Sequence, residues 1–130
     1  MSEAYVLDSS AVLAVIFGEP GADRVVALLD GARISAVNHQ EVIAKQIDRN
    51  LPERDIRANM ATFDFEIVPL DVSQAERAGW LRRETRRAGL SLGDRSCLAL
   101  AAEIGGTVVT TDHGMSAIAI GVGIDVMTIR

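Results

Sequence analysis

A chain of 130 residues with 48% hydrophobic content and charge spread throughout can bury one real core and is not a disordered segment. A single cysteine, Cys97, excludes an internal disulfide and a multi-cysteine metal centre, and the longest unbroken apolar run, Ala11 to Phe17, is far too short to cross a bilayer. The net charge of −5 argues against a general nucleic-acid binder, yet between Asp71 and Arg95 six arginines stand against four acids.

In chain order, the apolar run at residues 4–7 predicts a strand, and Asp8 follows it directly, ahead of a helix over 10–17. A helix over 21–30 leads to a strand at 33–36, then helices over 38–50 and 53–64 lead to a strand at 66–70. A long helix over 72–88 carries Arg82, Arg83, Arg86 and Arg87, and another spans 92–104. Gly31, Gly89 and Gly105-Gly106 stand where helices should stop. Strands at 107–111 and 124–129 follow, with residues 114–123 read as a loop between them. Val- and Ile-rich runs without alternation suit strands covered on both faces. Their alternation with helices predicts an α/β, three-layer sandwich around a mostly parallel central sheet, as a single domain over 1–130. Met-Ser-Glu-Ala lacks a basic opening, so neither a signal peptide nor a membrane partner is expected, and the cytoplasm is the default location.

In such sheets ligands sit just beyond the carboxyl ends of the strands. Asp8 and Asp112 both fall there, the second in "VVTTDHG". Glu41 in "SAVNHQEVIAK" and Asp94 in "SLGDRSCLALAAE" occupy first turns of helices rich in apolar residues. Each acid alone has an ordinary explanation. Asp8 or Asp112 can cap a helix, Asn38-x-x-Glu41 and Ser91-x-x-Asp94 fit capping boxes, and Glu41 pairs with Lys45 one turn later. Together at one rim they would repel by several kcal/mol, a cost that protons or a cation must neutralise. An all-oxygen cluster selects Mg²⁺ or Mn²⁺, and such ions support water-driven hydrolysis of phosphodiesters.

With those residues in view, the chain resembles the PIN domain, and within it the VapC toxin ribonucleases of bacterial type II toxin–antitoxin pairs. The likeness runs through "VLDSSAVLAVIFGE", "SAVNHQEV", "LSLGDRSCLALA" and "VVTTDHG". The resemblance implies that Asp8, Glu41, Asp94 and Asp112 form an acidic pocket for Mg²⁺ or Mn²⁺, with Ser9 and Thr110 as pocket hydroxyls. It further implies an endoribonuclease, a hydrolase cutting RNA, that forms homodimers and is inhibited by a cognate antitoxin protein in a hetero-oligomer. One departure stands out: where the family often has a basic residue and then an aromatic after the fourth acid, this chain has His113, Gly114 and Met115.

Arg82, Arg86, Arg95 and His113 are candidate contacts to substrate or antitoxin, weighed against a solvated helix face and ordinary ion pairs. His39 is expected in solvent, and Cys97, Trp80 and the three phenylalanines in packing. A phospho-acceptor receiver domain is disfavoured, because Asp8 is followed by Ser9-Ser10 and no lysine occurs after Lys45. The competing reading is a catalytically inactive PIN-like module that binds RNA or a partner.

Overall fold

The computed structural model describes residues 4–130. Five strands, β1 (Tyr5–Leu7), β2 (Arg33–Ser35), β3 (Glu66–Val68), β4 (Thr107–Thr110) and β5 (Asp125–Thr128), form one sheet in the order β3-β2-β1-β4-β5. Every neighbouring pair is parallel, with Val6 opposite both Arg33 of β2 and Val108 of β4. Parallel pairing follows from the helical connections, since each strand must be re-entered from the same end. These are α1 (Ser9–Phe17), α2 (Ala22–Val26), α3 (Ala36–Asp48), α4 (Glu53–Ala61), α5 (Val72–Trp80), α6 (Arg82–Thr85), α7 (Leu92–Ile104) and α8 (His113–Gly121).

Strand side chains alternate between two apolar cores, as a pleated sheet requires. Leu7 and Val109 join α1, α2 and Val42 of α3 on one face, while Val6 and Val108 join α7 and α8 on the other. The predicted sandwich is therefore present. The coverage expected of every strand is not: β1 and β4 are buried, but the edge strand β3 leaves Glu66 and Ile67 exposed.

Three further expectations are corrected. The helix predicted over 21–30 stops at Val26, where Leu28 and Leu29 tighten into bonds three residues back. The helix predicted over 72–88 breaks at Leu81, whose carbonyl accepts the Thr85 hydroxyl at 3.0 Å. Its arginine-rich second half has no apolar stripe to anchor it, and Trp80, expected in packing, is 64% exposed with Arg83 stacked 4.5 Å from its ring centre. The loop expected over 114–123 is instead largely α8, because Asp112 caps it and Met115 plants a fully buried side chain in the second core.

Candidate active site

Strand order reverses between β1 and β4: β1 continues outward to β2, and β4 to β5. The crevice at such a reversal is where parallel sheets bind ligands. Asp8 leaves β1 there and Asp112 leaves β4 there, with the Asp8 amide donating to the Val109 carbonyl at 2.9 Å. Asp8, Glu41, Asp94 and Asp112 line one cavity of about 250 Å³, together with Ser9, Ser10, Leu13, Lys45 and Ser91.

Asp8 is the buried member, 3% exposed. It stands at the start of α1 but its side chain makes no capping bond there. Its Oδ2 instead accepts from the Ser10 hydroxyl at 2.7 Å and the Thr110 hydroxyl at 2.9 Å. Those hydroxyls are themselves oriented by backbone amides, Thr111 N–H on Ser10 and Asp112 N–H on Thr110. Two short relays thus saturate one oxygen, while Oδ1 is buried without a partner among the described residues. Burial raises the Asp8 carboxyl to about 6; the Ser10 and Thr110 bonds pull it down, and the charges of Asp94 and Glu41 push it up. Thr110 is engaged as a pocket hydroxyl; Ser9 lines the cavity, but the hydroxyl on Asp8 is that of Ser10.

Glu41 is held from two sides. The fully buried Asn38 amide donates to Glu41 Oε1 at 2.9 Å and to the Gly93 carbonyl at 3.1 Å. Asn38 is therefore a bridge between α3 and α7 and not the helix cap expected of it, a role Ser35 takes. A Cβ at Gly93 would fall inside the Glu41 carboxylate, so the carboxylate seats only because Gly93 is bare. The expected Glu41–Lys45 ion pair is not formed among the described residues, although both line the cavity.

Asp94 and Asp112 do perform the ordinary tasks considered for them. Ser91 and Asp94 form a reciprocal capping box on α7, and Asp112 Oδ1 accepts from Gly114 N–H at 2.8 Å and Met115 N–H at 3.4 Å. Each cap occupies one oxygen of its carboxylate. Accordingly no three metal-binding side chains among the described residues are drawn tightly around one point, though the cavity wall is built from four carboxylates. Cys97, fully buried beneath them, reports the same convergence: burial first, then the charges of Asp8, Asp94 and Glu41, push its thiol well above the usual range.

The remaining candidates lie elsewhere. Arg82 and Arg86 are exposed and outside the cavity lining, and His113 is exposed with Nε2 2.6 Å from the Arg130 carbonyl. Arg95 forms no ion pair among the described residues, and its Nε is buried without a partner. His39, expected in solvent, is half-buried edge-on to Phe65, and desolvation lowers its imidazole.

A sequence profile of the PIN domain matches residues 5–121. Ribonuclease VapC42 of Mycobacterium tuberculosis is 31% identical over 106 residues, covering 74% of this chain and 81% of the relative. A VapC ribonuclease of Mycobacterium bovis matches to the same extent. Among solved structures, the DNA-bound VapBC of Salmonella typhimurium is similar with a TM-score of 0.77 at 20% identity, over 99% of this chain and 100% of that one. A toxin–antitoxin complex from Klebsiella pneumoniae gives 0.74 at 22% identity, over 97% and 98%. At such identities the structural likeness speaks for the fold, and the sequence matches speak for the family. The chain belongs to the PIN domain family and, within it, to the VapC ribonucleases.

Proposed function

We propose that this chain is the toxin of a type II toxin–antitoxin pair, an endoribonuclease that hydrolyses RNA phosphodiesters with Mg²⁺ or Mn²⁺ held by Asp8, Glu41, Asp94 and Asp112. The observation that carries the reading is four carboxylates lining one cavity at the switch point of a parallel sheet, one of them with a buried oxygen that no group among the described residues satisfies. Two unit charges about 4 Å apart repel by ~4 kcal/mol at an effective dielectric of 20. A phosphate entering this cavity would face a wall of four carboxylates, and Lys45 offsets a small part of their charge. A divalent cation offsets more of it, and the donor set is all oxygen, which suits Mg²⁺ or Mn²⁺.

When bound, the ion would supply charge for the phosphate and the leaving oxygen and acidify the attacking water. The chain supplies everything else. The Ser10 and Thr110 hydroxyls occupy Asp8 Oδ2, which leaves Oδ1 as the oxygen without a bond among the described residues and so the one free to take an ion. Asn38 and Gly93 hold Glu41 against the first turn of α7, and the caps of α7 and α8 orient Asp94 and Asp112. A carboxylate oxygen of this cavity not engaged by the ion would accept the proton that the attacking water loses, and the leaving oxygen would take its proton from solvent. Metal-activated water needs no imidazole base, consistent with His113 bonding to Arg130.

On this reading an antitoxin protein is the partner, in keeping with the toxin–antitoxin complexes among the structural neighbours. A homodimer working in the cytoplasm completes the proposal; exposed Val72, Trp80, Leu92 and Ile120 offer apolar surface for protein contact, and no helix among the described residues is long and apolar enough to cross a membrane. The test is cleavage of RNA by the wild type with Mg²⁺ or Mn²⁺ and with a chelator, beside Asp8→Asn and Asp94→Asn. Cleavage only by the wild type with metal is expected. A folded wild type that leaves RNA intact with metal present would return the chain to the non-cutting binding module.

A further inference from the structure

A second cavity, of about 390 Å³, opens beside the acidic one and shares Ser10, Leu13 and Lys45 with it. Its wall carries three cations, Lys45, Arg49 and Arg130, against two acids, Glu19 and Asp48. The charge therefore changes sign across Lys45, from a cavity of four carboxylates to one with a cationic excess. We propose that this neighbouring groove holds the RNA strand next to the phosphate being cut, with Lys45 and Arg49 as its phosphate contacts. The assignment of RNA rests on the nuclease reading above; the groove itself is a separate observation.

Three features favour a polyanion here. Lys45 is exposed and forms no ion pair among the described residues, although Glu41 lies one turn away. Arg49 follows Lys45 by four residues at the end of α3, about 6 Å along the axis, so the two charges form a short track leading from the acids. Arg49 and Arg130 both approach Glu19, at 3.6 and 3.5 Å, lengths well beyond a tight charge-assisted bond and open to competition by phosphate. The Phe17 ring lies 4.2 Å beneath the Arg49 guanidinium and fixes where it stands. By contrast Arg82 and Arg86 line neither cavity.

The proposal is tested by fluorescence anisotropy of a short, labelled, single-stranded oligoribonucleotide of mixed sequence, titrated across salt with divalent ions chelated. Cleavage plays no part in this readout, so a wild type that binds here yet leaves RNA intact once Mg²⁺ or Mn²⁺ is restored would sink the nuclease reading and leave the groove standing. Lys45→Gln combined with Arg49→Gln should weaken binding and reduce the log–log salt slope by about 1.4, two contacts at ~0.7 each on a single strand. Lys45→Gln alone should give half that change. Arg54→Gln with Arg57→Gln, which removes the same charge from α4, should leave the slope in place. A Mn²⁺-induced rise in melting temperature that persists in Arg49→Gln alone, and is kept or enlarged in the Lys45 variants, which lose a cation from the acidic wall, reports an intact acidic cavity. Equal slopes in the wild type and the Lys45 and Arg49 variants overturn the proposal. Displacement of the RNA by hexaglutamate at matching concentration also overturns it, assigning the groove to an acidic protein segment.

Discussion

A methyl group on Gly93 would occupy the space of the Glu41 carboxylate, and the Asn38 amide ties that same carboxylate to the Gly93 carbonyl. Glu41 thus depends on two residues with no charge of their own. Gly93→Ala should lower Mn²⁺ affinity by about tenfold, equivalent to ~1.4 kcal/mol, measured by calorimetry on a protein with unchanged circular dichroism. Asn38→Ala should do the same and in addition cost about 1–2 kcal/mol in denaturant stability through its lost buried bonds. Unaltered Mn²⁺ affinity in both would remove the clamp from the account. At this scale the sequence is partly readable. Asp8 stands out because a carboxylate between two apolar runs is rarely kept near a core unless it is paired or binds metal, even though a helix cap was also open to it. Asn38 does not, since its spacing to Glu41 imitates a capping box, and its true second partner lies 55 residues away. Ser10 is equally hidden: Ser9 and Ser10 are chemically alike, and only the turn into α1 decides which hydroxyl reaches Asp8.

Helix ends decide how well whole elements are read. α7 runs over Leu92–Ile104 as its sequence predicts, because both ends carry signals: the Ser91 and Asp94 box at the start and Gly105, with φ of 65°, at the close. Left-handed backbone is what glycine tolerates and other residues resist. Ser91→Ala should cost ~1 kcal/mol in the metal-free protein, read from the denaturant midpoint. A loss near zero would mean that the Ser91 hydroxyl adds nothing to the cap, the Asp94 carboxylate being held by the Ser91 backbone N–H that the variant keeps. The break between α5 and α6 has no such signal, as every residue from Arg82 to Arg87 is compatible with helix and none needs the core except Thr85. α8 is missed for the opposite reason. Gly114 and Gly121 look like loop punctuation, while its stability comes from Met115 and Ala119 packing against β4 and α7 and from the Asp112 cap.

Across the whole molecule, the acidic cavity sets stability against function. Asp8 has a carboxyl near 6 when folded and 3.8 as its ordinary value, so the folded state holds the proton more tightly. Asp8's own contribution to the stability of the metal-free protein is then greatest below pH 4 and is lost as pH rises through 6, an amount on the order of 2–3 kcal/mol. That cost is comparable to the gain from burying one side chain such as Leu7, about 1.5–3 kcal/mol, so the fold tolerates it. Asp8→Asn, which keeps an acceptor for Ser10 and Thr110, should raise metal-free melting temperature at pH 7 and lose that advantage near pH 4.5. A variant less stable than wild type at pH 7 would argue that the carboxylate is not under electrostatic load. Divalent cation should offset the same load, and its binding should weaken as pH falls through 6. The topology behind this arrangement was legible from strand–helix alternation, since a parallel sheet brings the ends of β1 and β4 to one rim. The neighbouring cationic groove was not, because Lys45 and Arg49 of one helix meet Arg130, Phe17 and Glu19 only after the chain has closed on itself.

The most direct test is diffraction from crystals soaked in Mn²⁺ at neutral pH, with anomalous differences locating the ion. One strong peak in the cavity, within coordination reach of Asp8 Oδ1 and of oxygens from Glu41, Asp94 or Asp112, is the predicted result. Crystals that diffract well, hold Mn²⁺ elsewhere or nowhere, and keep Asp8 Oδ1 unliganded would contradict the account.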